Sequence, residues 1–296
     1  MSLVINHNLM AMNASRNLGE SYGRLAVSTR RLSSGLRVGT AADDAAGLAI
    51  RELMRADIAS LNQGVRNAND AISMIQTADG ALQVVDEKLI RLKELAEQAA
   101  TGTYNSDQRI LIDSEFQAMA SEITRIALAT DFNGVKLLDG TLSASAGRTL
   151  LEQHDGTGMQ SRGPIKIHFG TGNDSAEDYY FINMGNATAS ALGVQGRINT
   201  QSLAQNMLES LNLAIISKDT IRAQLGALQN RLQNTITNLS IQAENLQAAE
   251  SRISDVDVAT EMTEFVRNQI LTQSAVAMLA QANSLPRLAM QLIGGG

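Results

Sequence analysis

The feature that most constrains this chain is a helix too long for any globule the chain could form. Leu225, Leu228, Leu232, Thr235, Leu239, Gln242, Leu246, Ala249, Ile253 and Val256 recur at alternating spacings of three and four residues. That period holds one stripe of a helix against a partner helix. From Gln201 to Ile253 neither proline nor a turn cluster interrupts it, so the helix would run roughly 75 Å at the usual rise. A compact domain of 296 residues would have a radius of gyration of about 19 Å. The expectation is a mainly α protein, a long antiparallel α-helical coiled-coil rod or bundle with a small β-hairpin region in the middle of the chain.

Composition supports helix-on-helix packing. Apolar residues make up 44% of the chain, but only 3% is aromatic, with no Trp and two Pro. Leu, Ala, Met and Ile at helical spacing suit bundles, whereas sandwich cores and deep pockets draw on aromatics and turn formers. The absence of Cys excludes disulfides and thiolate metal sites. A net charge of −6 with no basic stripe argues against nucleic-acid binding. No cationic n-region precedes Arg16, and Leu3, Val4 and Ile5 are too few for an h-region, so any export is expected to proceed without a cleaved signal peptide.

Along the chain, residues 1–32 read as a helix with Ile5, Leu9, Met12, Leu18, Leu25 and Leu32 on or near one face. A break with Gly35 and Gly39 leads to Asp43 and Asp44, which suit a helix start. The second helix, from about Ala42 to Ala100, carries a seam of Ile58, Leu61, Val65, Ala68, Ile72, Ile75, Asp79 and Leu82 that slips and continues as Val85, Leu89, Leu92, Ala96 and Ala99. A turn over 101–107 caps a third helix running to about Thr130. Asn133-Gly134 and Asp139-Gly140 punctuate a short strand, and Ile165–Phe169 with Tyr179–Met184 read as an antiparallel hairpin. After the long helix, Ser254–Asp257 caps a last helix that should stop at Leu285, before Pro286.

Both ends of the chain are apolar, helical and poor in charge. The first fifteen residues hold no Asp, Glu, Lys or Arg, and neither does the stretch from Asn268 to Pro286. The amides Asn268, Gln269, Gln273, Gln281 and Asn283 are too many for a membrane span, so the helix should be enclosed by protein. The simplest architecture pairs the two ends with each other and the two long helices with each other. Ile5, Leu9, Met12, Leu271, Ala275, Met278, Ala282 and Leu285 are then the candidate inner-core assembly residues. The polar face of the long helix is also unusual: nine Asn or Gln but only Arg231 and Glu244 as charges lie between Gln224 and Gln247. Solvated coiled coils carry Glu and Lys there, whereas amides can be buried in a contact at lower desolvation cost. Gln229, Asn230, Gln233 and Asn234 are therefore the candidate subunit-packing face.

At these residues the chain resembles bacterial flagellin, the subunit of the flagellar filament. The resemblance is carried by Ile5–Asn8, Arg31–Arg37, Ala42–Ile50, Ile75–Leu82 and Phe132–Gly140 in the N-terminal half. In the C-terminal half it is carried by Leu225–Leu232, Ala249–Ile253 and Met278–Asn283. It implies a helical homopolymer made by terminal helices, with an N-terminal inner-core helix and spoke over 1–40, rod halves over 41–140 and 201–255, a short exposed variable segment over 141–200, and a C-terminal inner-core helix over 256–296. It also implies extracellular localisation in the flagellum, export by the flagellar type III system, and an export chaperone, cap and hook-junction proteins as partners. A vertebrate toll-like receptor would meet Arg91, Leu95 and Glu122. No cofactor, nucleic acid or membrane is implied.

An enzyme is the competing class. His7, His154 and His168 are scattered, and no H-E-x-x-H, nucleophile elbow or phosphate loop occurs. Adjacent Asp43 and Asp44 point apart on a helix, so capping explains them better than acid–base chemistry. A hook-associated junction protein, or another coiled-coil structural or adaptor protein, is the alternative within the structural class.

Overall fold

The computed structural model describes residues 7–143, 163–174 and 177–294. Five helices carry the fold: α1 (Leu9–Ser34), α2 (Ala45–Ala100), α3 (Ser106–Ala129), α4 (Gln201–Ser254) and α5 (Val258–Gly294). Two short antiparallel hairpins interrupt them, β1 (Asp131–Phe132) with β2 (Val135–Lys136), and β3 (Ile165–His168) with β4 (Tyr179–Ile182). The chain forms two compact units, Met1–Ile58 with Glu244–Gly296, and Ala59–Ala243. The division between the units falls inside α2 and α4. The reason is local to the first unit. Arg51 donates to the Val38 carbonyl at 2.7 Å, Arg37 donates to the Ile253 carbonyl at 2.7 Å, and Leu36 bridges to Asp255. These bonds bind the start of α2 and the end of α4 to the spoke between α1 and α2.

Within the first unit α1 pairs with α5 in antiparallel fashion, as Asn8 meets Ala282 and Arg31 meets Glu261. Asp257 caps α5 by accepting from the Ala259 amide at 3.0 Å and the Thr260 hydroxyl at 2.9 Å. Contrary to the sequence reading, α5 does not stop before Pro286 but runs through it to Gly294. A proline there lacks the N–H that would bond the carbonyl four residues back, which belongs to Ala282. The Asn8 side-chain amide donates to that same carbonyl at 2.7 Å, while its oxygen accepts from the Ala11 amide at 3.0 Å and caps α1. One side chain thus starts one helix and replaces the missing bond in the other.

The second unit has its core along α2. At one end Val85, Leu89, Leu92, Leu95, Ala96 and Ala99 of α2 pack on Phe116, Ala120 and Ile123 of α3 and on Ala204, Met207, Leu211 and Ala214 of α4. At the other end Ala68–Leu82 of α2 meets Ile221, Leu225 and Leu232 of α4, closed by Leu137, Leu138, Leu142, Ile182 and Met184. The order shows α2 and α4 antiparallel, and the cross-helix ion pairs Asp79–Arg222 and Asp86–Lys218 agree. The buried stripe of α4 begins earlier than Leu225, at Ala204, and near its end shifts from Gln242, which is exposed, to Ala243.

Asn133 and Gly134 occupy positive φ (50° and 81°), the conformation of a tight two-residue hairpin turn. The strand predicted over 135–138 is accordingly split. Val135 and Lys136 pair with β1, and Leu137 and Leu138 drop into the core. The second hairpin lies against both long helices. At Gly64 of α2 the Phe169 carbonyl comes so close that a Cβ would meet it at 2.1 Å, and the Arg231 guanidinium of α4 sits 3.6 Å from the Tyr180 ring centre. Nor is the last part of 141–200 an exposed appendage. Ala187, Ala189, Leu192, Val194 and Ile198 are buried, and Asp113 and Gln117 of α3 hold this stretch by bonds to the Ile198 amide and the Gly196 carbonyl, both 2.7 Å.

Candidate functional site

The α1–α5 pair carries the first candidate surface, and it is built inside out. The inward stripe of α1 is Ala11, Ala14, Leu18, Ser21, Leu25, Ser28 and Leu32, and that of α5 is Glu261, Phe265, Asn268, Thr272, Ala275, Leu279 and Ala282. Each stripe recurs at three and four residues, as a coiled-coil seam requires, but most of its members are small or polar. Thr272 satisfies its hydroxyl on the Asn268 carbonyl at 2.7 Å. Small seam residues let two helices approach closely, yet they bury little apolar area. Many large apolar side chains are left outside: Leu9, Met10 and Met12 on α1, and Val266, Ile270, Leu271, Val276 and Met278 on α5, are all exposed.

The candidate inner-core residues therefore divide. Ala275 and Ala282 lie in the intramolecular seam, whereas Leu9 and Met278, each 65% exposed, and Met12 and Leu271 face outward. Ile5 and the side chain of Leu285 lie outside the described residues. Leu271 and Met278 each stand one position before the residues that pack, Thr272 and Leu279. Two clefts follow the α1–α5 groove. One, of about 370 Å³, has Met10, Ala14, Ala275, Met278 and Ala282 with the amides Asn13, Asn17 and Gln281. The other, of about 480 Å³, is charged, with Glu20, Arg24, Arg31, Glu261 and Glu264. Arg31 Nε is buried there without an acceptor, while its Nη1 reaches Glu261 at 3.5 Å.

The second surface is the amide face of α4. Asn230, Gln233 and Asn234 are exposed and Gln229 is half-buried, so the four share one side of the helix. Arg231, between them, is turned to the hairpin by its contact with Tyr180. Burial alone would raise the Tyr180 phenol, but hydrogen bonds with Thr235 and Arg231 outweigh it and hold the phenol below its ordinary value.

The three residues matched to receptor recognition are not equivalent. Arg91 is exposed and ion-paired with Glu115 at 2.7 Å and Glu94 at 3.0 Å, the Glu115 hydrogen bond raising its pKa. Glu122 is paired with Arg125 at 2.6 Å, a bond that lowers its carboxyl. Leu95 is 1% exposed and packs inside the second unit, so it offers no surface to a partner while that unit stays folded.

Sequence reasoning missed a buried charge cluster. Lys218 occupies a stripe position of α4, 1% exposed, and pairs with Asp86 of α2 and with Asp219 at 2.7 Å. One turn on, Arg222 reaches Asp79 at 2.7 Å, and its guanidinium pKa is raised by that bond. The available signal was the three-and-four spacing extended back from Leu225 through Ile221 to Lys218. Among the described residues no group of three His, Asp or Glu is placed to hold a metal, and no helix is long and apolar enough to cross a membrane.

Paired helices with a small, polar seam and large apolar side chains turned outward define a structural subunit that completes its packing with other molecules. Comparison with known proteins places it within that class. Residues 5–143 match the bacterial flagellin N-terminal helical region, and residues 208–293 match the bacterial flagellin C-terminal helical region. A flagellin of Halalkalibacterium halodurans is 42% identical over 98% of this chain and 100% of its own length. The flagellar filament 33 kDa core protein of Treponema phagedenis is 39% identical over 98% of this chain and 100% of its own, and a flagellin of Bacillus subtilis is 39% identical over 98% and 99%. A putative flagellar hook-associated protein from Vibrio parahaemolyticus shares the fold at a TM-score of 0.55 and 14% identity, covering 72% of this chain and 100% of that one. The chain belongs to the bacterial flagellin family. It is a structural subunit of the flagellar filament and not an enzyme.

Proposed function

We propose that this subunit enters the filament through two surfaces, the outward apolar faces of α1 and α5 and the amide face of α4. The observation that carries this reading is the α1–α5 pair, in which Leu9, Met10 and Met12 of α1 and Val266, Ile270, Leu271, Val276 and Met278 of α5 stay 44% to 65% exposed. Large apolar side chains gathered on one helix pair are costly to leave in water and mark an interaction site. The inner-core contacts come from Leu9, Met12, Leu271 and Met278, with Ile5 and Leu285 as further candidates, and Ala275 and Ala282 hold the pair together. Gln229, Asn230, Gln233 and Asn234 meet a neighbouring subunit, their amides burying at lower cost than charges.

Membership of the family supports a reading of the finer partners as well. The subunit leaves the cell through the flagellar type III system, escorted by an export chaperone, and is added beneath a cap after the hook-junction proteins. Arg91 and Glu122 are the groups a toll-like receptor would reach, and Leu95 supports them from within the core. The decisive experiment is seeded assembly of purified monomer, followed by sedimentation and electron microscopy. The full chain elongates seeds. A chain lacking residues 1–30 and 265–296 stays soluble and does not. A full chain with Gln229→Glu, Asn230→Glu and Asn234→Glu folds but fails to form filaments. Filaments from the truncated chain would overturn the role of the terminal helices, and filaments from the triple variant would overturn that of the amide face.

A further inference from the structure

Among the described residues most methionines divide by location, with Met54 of α2 half-buried in the first unit. In the second unit Met74, Met184 and Met207 are at most 8% exposed, and Met119 is half-buried. On α1 and α5, by contrast, Met10, Met12, Met262, Met278 and Met290 are 44% to 65% exposed. Met10 and Met278 line one cleft across the α1–α5 groove. The chain has no cysteine, so no thiolate competes for oxidants, and exposure decides which thioethers react.

We propose that Met10, Met12 and Met278, with Met262 and Met290, form an oxidation site for hydroperoxides that closes the free subunit to assembly. The proposal rests on the reading that the outward faces of α1 and α5 are assembly surfaces. The thioether sulfur attacks one oxygen of the hydroperoxide. An S–O bond forms as the O–O bond breaks, sulfur gives up two electrons to become the sulfoxide, and the departing oxygen takes the proton and leaves as water or an alcohol. A flexible apolar side chain thereby becomes a polar one. On a surface that must be dehydrated to pack, each sulfoxide brings an acceptor with no donor waiting for it, and this penalty is on the order of a tenfold loss in affinity or more. Unit Ala59–Ala243 keeps its buried methionines and its fold. Subunits already in the filament cover Met10, Met12 and Met278, so the same dose of peroxide spares them. The site thus screens subunits before incorporation and is reset by methionine sulfoxide reduction.

The test treats full-length monomer with hydrogen peroxide, removes the peroxide, maps sulfoxides by peptide mass spectrometry and measures seeded elongation. Expected are sulfoxides at Met10, Met12, Met262, Met278 and Met290 with Met74, Met184 and Met207 intact, a circular dichroism spectrum that retains the helices of the second unit, and elongation reduced by about tenfold or more. Treatment with the two methionine sulfoxide reductases restores elongation. A variant carrying Leu at all five positions, a volume-conserving exchange, elongates equally before and after peroxide. Three results would overturn the proposal: undiminished elongation of oxidised subunits, no recovery after enzymatic reduction, or equal peroxide sensitivity in the five-Leu variant. The truncated chain separates the two readings. If it assembles, the surfaces are misassigned. If it does not but oxidised full-length subunits do, only the oxidation proposal fails.

Discussion

Gly64→Ala is the sharpest test of how the hairpin is seated on α2, because two physical effects predict opposite signs. Gly64 lies inside a 56-residue helix, where replacing Gly by Ala should stabilise by about 0.5–1 kcal/mol through backbone entropy. The built Cβ, however, meets the Phe169 carbonyl oxygen at 2.1 Å, its carbon at 2.8 Å and its Cα at 2.9 Å. All three are backbone atoms, so no rotamer change relieves the clash and the chain after β3 must lift. Phe169 is 3% exposed and packs on Tyr180 with ring centres 4.6 Å apart. Lifting its backbone loosens that contact and the Tyr180–Arg231 stack. Overpacking of this kind costs about 1–3 kcal/mol, leaving a net loss of about 1–2 kcal/mol and a midpoint lower by about 3–6 °C for a unit of this size. Gly80→Ala on α2 and Gly226→Ala on α4 are the controls, since nothing lies within 4 Å of either Cβ, and both should gain about 0.5–1 kcal/mol. Thermal and urea melts of full-length monomer, read by circular dichroism, make the comparison. A Gly64→Ala protein as stable as Gly80→Ala would refute the close approach.

The link between Asn8 and Pro286 predicts a double-mutant cycle: Asn8→Ala should cost about 1 kcal/mol in wild-type background and less with Pro286→Ala, which restores an N–H to the Ala282 carbonyl, with amide exchange around residues 8–12 and 282–290 as the readout. At the buried ion cluster, Lys218→Met should leave stability unchanged or higher, whereas Asp86→Ala strands a buried ammonium with only Asp219 and should cost about 2–4 kcal/mol, both measured by urea melts. Acid should loosen the start of α5. The Thr260 hydroxyl bond and the Thr260 and Ala259 amides lower the Asp257 carboxyl from 3.8, so its contribution is present above that value and is lost as pH falls through the lower folded pKa. Asp257→Asn keeps a cap that does not titrate, and amide exchange at Ala259 and Thr260 should then lose its acid dependence.

Much of this protein is legible in the chain because local patterns carry it. The alternation of three and four from Leu225 to Leu239 could only be one side of a long helix, and α4 ends within a residue of where that pattern stops being uninterrupted. Asn133-Gly134 specifies a turn through its backbone preference, and the motifs at Arg31–Arg37 and Ala42–Ile50 carry the family. The amides Asn230, Gln233 and Asn234 of α4 are exposed and Gln229 is half-buried. Tertiary structure decided what periodicity leaves degenerate. A stripe of helix does not say which neighbour it faces: the spacing of Leu271 and Met278 suits a seam as well as that of Asn268 and Thr272, and packing selects the latter. A carbonyl orphaned by Pro286 ends a helix in isolation, and only the arrival of Asn8 from far away in sequence lets α5 continue. Lys218 shows the same limit, since a lysine is read as solvated until Asp86 is brought across from α2. Local sequence sets which faces exist, because side-chain spacing and backbone preference act within a few residues. Which faces are buried, and which are left for another subunit, is settled by long-range packing that a single helix cannot encode.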